Sequence, residues 1–261
     1  MKATKLATSA AVAVLGFTLI APTVLAENPA GQNLPKQLTG NADITYTEDT
    51  TTNPPVDPEI PTDPVTPPGP VNPEGGPISV DFVSDLHFGT QSIKTAKGEY
   101  NAAEAKTKNS KGEDIKRGNW IQVTDKRSIG KDGPAGWTLK AQMTQQFKNA
   151  DNNELKGATL TYTNPVVTSK TDQTGTIAGI TPVANVELAY SAEGKSSPMA
   201  TAEKGSGFGT YFIQYGREAG FGGLTEENKT SDKSIKLTVP EYTPLAASQY
   251  NAKITWTIEE L

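Results

Sequence analysis

The chain has 261 residues, 35% of them hydrophobic, with 24 Lys and Arg against 29 Asp and Glu. That length supports one large core or two small ones, and the acidic balance argues against nucleic acid as a partner. There is no cysteine and only one histidine, so disulfides and lipid attachment at a cysteine are excluded and a zinc site is disfavoured.

The first 26 residues read as an export signal. Lys2 and Lys5 form a charged start, Leu6 to Ile20 an apolar run, and Val24-Leu25-Ala26 a small-residue cleavage site. A retained membrane anchor needs about 20 unbroken apolar residues, and Thr8, Ser9, Gly16 and Thr18 interrupt a shorter run. The expectation is a secreted, extracellular protein with no stable membrane insertion after cleavage. LPKQLTG at 34 to 40 superficially resembles a sorting signal but lacks a following hydrophobic tail. A protein without an anchor stays on the cell surface only by noncovalent attachment.

Residues 27–52 form a short N-terminal segment. Within it ADITYTEDT (42–50) alternates Ile44 and Tyr46 with polar neighbours, which predicts one strand docked on an edge of the downstream domain, the alternative being plain disorder. Residues 53–77 contain ten prolines, so they can be neither helix nor central strand. They read as an extended linker of up to about 75 Å at roughly 3.1 Å per residue. Residues 27–77 hold one Lys and eight acids, whereas 78–261 balance 21 charges of each sign, so the net acidity lies in the tail.

From Ile78 onward the signals are β. ISVDFV sets Ile78, Val80 and Phe82 on one face, and NWIQVTD, GATLTY, ANVELAY, GTYFIQY and SIKLTVP follow as β-branched or aromatic runs between Gly, Asn, Asp, Ser and Pro clusters. No segment keeps an apolar 3.6-residue period over three turns. The predicted architecture is an all-β, antiparallel β-sandwich over 78–261, with a helical turn near 141–148 or in a 94–116 insertion.

Chemistry-bearing motifs are sparse. His87 between Leu86 and Phe88 points away from both on a strand, and only Asp81, Ser84 and Asp85 lie near it, so no hydrolase triad is indicated. The expectation is a protein that is not an enzyme and uses no cofactor or metal. GSGFG (205–209) and GREAGFGG (216–223) lack dinucleotide spacing and predict a mobile hairpin loop around Tyr211 to Tyr215. ADNNE (150–154) lacks the alternation and glycine of a calcium loop and reads as a turn. Residues 94–131 hold ten basic and five acidic side chains, either a solvated Lys-rich surface or a patch for anionic wall polymer.

Two triplets repeat a pattern. In GWTLKAQM, Trp137 and Leu139 share a strand face with Ala141 and Met143; in ITWTIEEL, Trp256 shares one with Ile254 and Ile258. Both read as half-buried strand centres. The indoles are either core or the walls of a groove whose flat faces and N–H groups suit sugars.

Trp137-Thr138-Leu139, preceded by IQVTDKR, resembles the proximal motif of the WxL cell-wall-binding domain of low-GC Gram-positive bacteria. IKLTVPEYTPLAASQYNAKITWTIEEL, with Tyr250 ahead of Ile254 and Trp256, is similar to the distal motif, and ISVDFVSDLHFGTQ to the domain start. The resemblance implies a surface protein held noncovalently on peptidoglycan or another wall polymer. It also implies manufacture beside membrane-anchored partner proteins, so the alternative is a structural subunit retained by such a partner, with an adhesin role. The motif positions carried over are Trp137, Leu139, Trp256 and Ile258, the last in place of Leu. No catalytic residue comes with the resemblance.

Overall fold

The computed structural model describes residues 38–67 and 69–261; the export signal lies outside them. Fourteen strands follow in order: β1 Ile78–Val83, β2 Gly98–Asn101, β3 Ala105–Lys108, β4 Asp114–Arg117, β5 Asn119–Asp125, β6 Trp137–Lys148, β7 Thr159–Tyr162, β8 Pro165–Ser169, β9 Ile180–Pro182, β10 Val186–Ala189, β11 Ser197–Ala202, β12 Gly209–Tyr215, β13 Ile235–Val239 and β14 Asn251–Glu260. They form three four-stranded sheets, ordered β1-β5-β12-β8, β10-β7-β13-β2 and β14-β6-β11-β9, and the hairpin β3-β4. Every ladder is antiparallel, and the described residues contain no helix. The all-β, sandwich-like architecture is as the alternation of residues predicts.

The main core draws on the inner faces of all three sheets. Ile121, Val123 and Ile213 come from the first, Leu160, Tyr162 and Leu237 from the second, and Trp137, Leu139, Ala141 and Met143 from the third. The expected helical turn at 141–148 lies inside β6, because Ala141 and Met143 continue the inward period of two and both edges of β6 are paired, to β14 and β11. Residues 94–116 hold β2, β3 and the start of β4 rather than a helix. Tyr211–Tyr215 is no mobile loop either. It belongs to β12, paired on one edge with β5 and on the other with β8.

The first sheet is buried on both faces, and every residue of β5 is buried. On its outer face Phe82, Trp120 and Phe212 form a second core with Val65 and Ala105, the Phe82 and Trp120 rings 4.6 Å apart. Phe82 therefore does not share a face with Ile78 and Val80, as strict alternation predicts. A bulge shifts the register between Val80 and Phe82, and one extra residue turns every later side chain to the opposite face.

The Pro-rich stretch, expected as an extended linker, packs over this second core. Pro55, Asp57, Pro58, Glu59, Pro61 and Val65 are buried. Asp57 N donates to Asp63 O at 2.9 Å, which closes a turn, and Thr66 N donates to Lys108 O of β3 at 2.9 Å. Asn72 N donates to Asp81 O at 2.7 Å and Val83 N to Pro70 O at 3.2 Å, so the strap also occupies the outer edge of β1. Prolines offer carbonyls without N–H groups, and buried carbonyls need donors. Side chains of the sheet supply them: Gln122 Nε2 donates to Pro54 O at 3.2 Å and Thr168 Oγ1 to Pro58 O at 2.9 Å.

Two ion pairs fasten the strap. The Arg117 guanidinium holds both carboxylate oxygens of Asp57, with Nε to Oδ1 at 2.6 Å, and Arg217 grips Glu59 in the same forked manner, with Nε to Oε2 at 3.0 Å. All four side chains are buried, and a forked pair matches guanidinium to carboxylate geometry. The expected strand at 42–50 does not form. Glu48 and Asp49 instead use side chains, accepting from Ser128 N at 3.3 Å and Lys126 Nζ at 3.1 Å. Charged and hydroxyl residues alternating with only two apolar side chains, Ile44 and Tyr46, both exposed, give a strand nothing to bury.

Candidate functional site

The two Trp triplets meet. β14 runs antiparallel to β6 with Ile258 opposite Leu139, Trp256 opposite Ala141 and Glu260 opposite Trp137. Both motifs thus occupy one ladder and face one core, while Thr255, Thr257 and Glu259 turn outward and are exposed. Their surroundings differ. β6 is an inner strand of its sheet, so Trp137 and Leu139 are fully buried. β14 ends the sheet, so Trp256 and Ile258 are half-buried.

Trp137 is held from above by the glycine-rich loop. Its Nε1 donates to Gly207 O at 3.1 Å, and Gly207 has φ of +92°, with room for no Cβ: one built there meets Trp137 Nε1 at 2.5 Å. GSGFG is a lid on an indole, which accounts for the glycine at 207. Trp137 offers no surface to a ligand.

Trp256 lines a cleft of about 1320 Å³. The cleft opens where the terminal strands of three sheets, β1, β2 and β14, diverge, and the segments 84–93 and 245–250 add to its walls. At its floor one aromatic from each sheet forms a row. Trp256 of β14 meets Tyr162 of β7 edge-on at 6.0 Å, and Tyr162 meets Tyr215 of β12 edge-on at 4.8 Å, geometries favoured by the ring quadrupoles. Burial pushes both phenols well above the ordinary tyrosine range, so they are neutral hydroxyls at neutral pH. Phe88, Tyr100 and Tyr250 also line the cleft and are half-buried. Tyr250 OH accepts from Ala246 N at 2.8 Å and closes the loop before β14.

Among the described residues the lining includes neither Lys nor Arg; its charged side chains are Asp81 and Asp85, with the exposed His87 at the rim. Asp81 is committed to Ser79, Thr124 and Gln122. The imidazole of His87 makes no hydrogen bond among the described residues, and no group of three metal-ligating side chains occurs among them. ADNNE forms a turn in which Asn153 N donates to Asn149 Oδ1 at 2.8 Å.

Six of the ten basic side chains at 94–131 are paired with acids, some within the segment and some from the strap and β14. Lys97 pairs with Glu99, Lys108 with Asp114, Lys116 with Glu104, Arg117 with Asp57, Lys126 with Asp49, and Arg127 with Asp125 and Glu260. Sequence reasoning placed Trp256 correctly on an inward face but missed the aromatic residues that gather around it. Tyr162 and Tyr100 come from one sheet, Tyr215 from a second and Phe88 from a loop, and no spacing along the chain joins them to Trp256.

No curated protein and no solved structure matches the chain. The family model described as WxL domain surface cell wall-binding matches residues 33–261, nearly the whole length and including the Pro-rich strap. The chain belongs to the WxL domain family of surface cell wall-binding proteins.

Proposed function

We propose that the protein is exported and held noncovalently on peptidoglycan, with the aromatic cleft beside Trp256 as the contact. The observation that carries this reading is the half-buried Trp256 in an aromatic cleft of a chain that a wall-binding family model spans. Aromatic side chains beneath a hydrogen-bonding rim suit a ligand that presents flat apolar faces and hydroxyls. No helix among the described residues is long and apolar enough to cross a membrane, consistent with attachment through the folded domain. The reading assigns no catalytic step and no cofactor.

The test is sedimentation of the secreted chain, residues 27–261, with purified walls stripped of protein. The reading predicts that it pellets with the walls; retention in the supernatant overturns it.

The outer edge of β14 favours a second reading, a structural subunit retained by a membrane-anchored partner. Among the described residues its backbone pairs only with β6, and a free edge strand is a template for strand addition. On this reading deletion of the partner releases the protein to the medium, while binding to isolated walls is weak.

A further inference from the structure

We propose that the cleft takes an uncharged, N-acetylated sugar of a glycan strand, with Trp256 against the sugar ring and Tyr215 and Asn119 meeting the acetamido group. This inference rests on the wall-attachment reading and names the part of the polymer that is held.

The floor carries the argument. Tyr215 and Asn119 lie directly opposite each other in the β12–β5 ladder, and both line the cleft. Asn119 Nδ2 is committed to Ala103 O at 2.9 Å. Its Oδ1 and the Tyr215 hydroxyl are both buried without a hydrogen-bond partner. A buried polar atom without a partner is uncommon and destabilising, and here two with complementary capacities belong to residues paired across one ladder. The amide oxygen accepts, and the phenol donates. An acetamido group offers an N–H on one edge for Asn119, a carbonyl on the opposite edge for Tyr215, and a methyl that suits the aliphatic lining of Leu160 and Ile235.

Charge and shape select among ligands. A polymer of phosphate or carboxylate groups finds no Lys or Arg in the lining and meets Asp85 at the rim, so anionic polymers are disfavoured. Apart from Asp85 and His87 the exposed rim is uncharged and hydrogen-bonding, with Thr90, Gln91, Ser92, Gln249 and Asn251, chemistry suited to sugar hydroxyls over aromatic faces. An added peptide strand is disfavoured at β1, whose outer edge is already taken by Pro70 and Asn72. The floor atoms are covered in the free protein, and the element that gives way is the segment 84–93. Between Asp85 and Ile93, its one backbone hydrogen bond to the rest of the described fold is Ala103 N to His87 O at 2.8 Å.

The experiment titrates the secreted chain with a tetramer of N-acetylglucosamine and, as the control that lacks acetamido groups, a tetramer of glucose. The proposal predicts binding of the first at least about tenfold tighter than the second. Tyr215→Phe removes a hydroxyl that has no partner in the free protein, so it leaves the unfolding temperature unchanged or raised while weakening the acetylated ligand about tenfold. Trp256→Phe, a conservative change at a half-buried site, weakens it as well. Equal affinity for the two tetramers, or undiminished affinity of folded Tyr215→Phe, overturns the proposal. So does a chain that pellets with walls but ignores the acetylated tetramer while binding an anionic wall polymer or an apolar peptide; the wall reading then stands without the glycan. A chain that fails to pellet with walls removes both.

Discussion

Trp256 lies directly opposite Ala141 across the β14–β6 ladder, and the smallness of that neighbour leaves the indole room to reach Tyr162 of another sheet, 6.0 Å away. Trp137, one motif earlier, has Glu260 opposite it and is sealed beneath Gly207. The paired triplets are one structural unit whose two indoles do different work. Trp137→Ala is expected to cost about 3–5 kcal/mol, the usual range for a buried aromatic, and to abolish wall binding only by unfolding the domain. Trp256→Ala removes a half-buried ring and is expected to cost less, about 1–3 kcal/mol, while wall binding falls in protein that remains folded. Chemical denaturation and wall sedimentation on the same preparations separate the two cases. Ile258→Leu conserves volume and is expected to change stability by less than about 1.5 kcal/mol.

Gly207→Ala tests the lid. The added methyl meets Trp137 Nε1 at 2.5 Å and Ala202 Cβ at 2.7 Å, at a φ of +92° that an L side chain rarely adopts. The expected loss is at least about 1–3 kcal/mol, with a change in tryptophan fluorescence as the hydrogen bond to the Gly207 carbonyl is displaced. An unchanged unfolding midpoint contradicts this placement of the glycine-rich loop.

The strap is expected to be part of the folding unit. Glu59→Gln leaves Arg217 buried without its counter-charge, and Asp57→Asn does the same to Arg117; breaking one partner of a buried pair costs about 3–5 kcal/mol. A chain beginning at Ile78 loses both carboxylates and uncovers Trp120 and Phe212. It is expected to express poorly or to melt well below the longer chain. Equal melting of the two chains shows that the strap adds no stability.

Asp49 gives a pH test at the strap's N-terminal end. Hydrogen bonds from Thr51, side chain and backbone, and then the pairing with Lys126 hold its carboxyl down at about 2, against an ordinary value of 3.8. A carboxyl depressed on folding contributes stability that is fully present above about pH 3.8 and lost as pH falls through about 2. Thr51→Ala removes one of these causes, and the carboxyl resonance of Asp49 is expected to titrate at higher pH than in the unaltered protein. An identical titration curve contradicts the assignment.

Much of the fold is legible in the sequence because strand alternation is local. Trp137, Leu139, Ala141 and Met143 are all fully buried, as the period of two requires, and Thr255 and Thr257 face solvent. What escapes is what depends on partners far along the chain. The Asp81 bulge that turns Phe82 has no local signal. The Pro-rich stretch reads as a spacer because proline excludes it from ladders, yet side chains of Gln122 and Thr168 supply the missing donors. One clue is present: residues 27–77 hold eight of the acids against a single Lys, and Asp57 and Glu59 among them neutralise Arg117 and Arg217. The cleft is hidden for the same reason. Tyr162, Tyr215 and Trp256 become neighbours only when three sheets meet.

The most direct test of wall attachment is sedimentation of the secreted chain with walls stripped of both protein and anionic polymers, with Trp256→Phe and its unfolding temperature measured alongside. The account predicts that the unaltered chain pellets with the bare peptidoglycan and that folded Trp256→Phe pellets less. A chain that stays in the supernatant, or a folded variant that pellets as well as its parent, contradicts it.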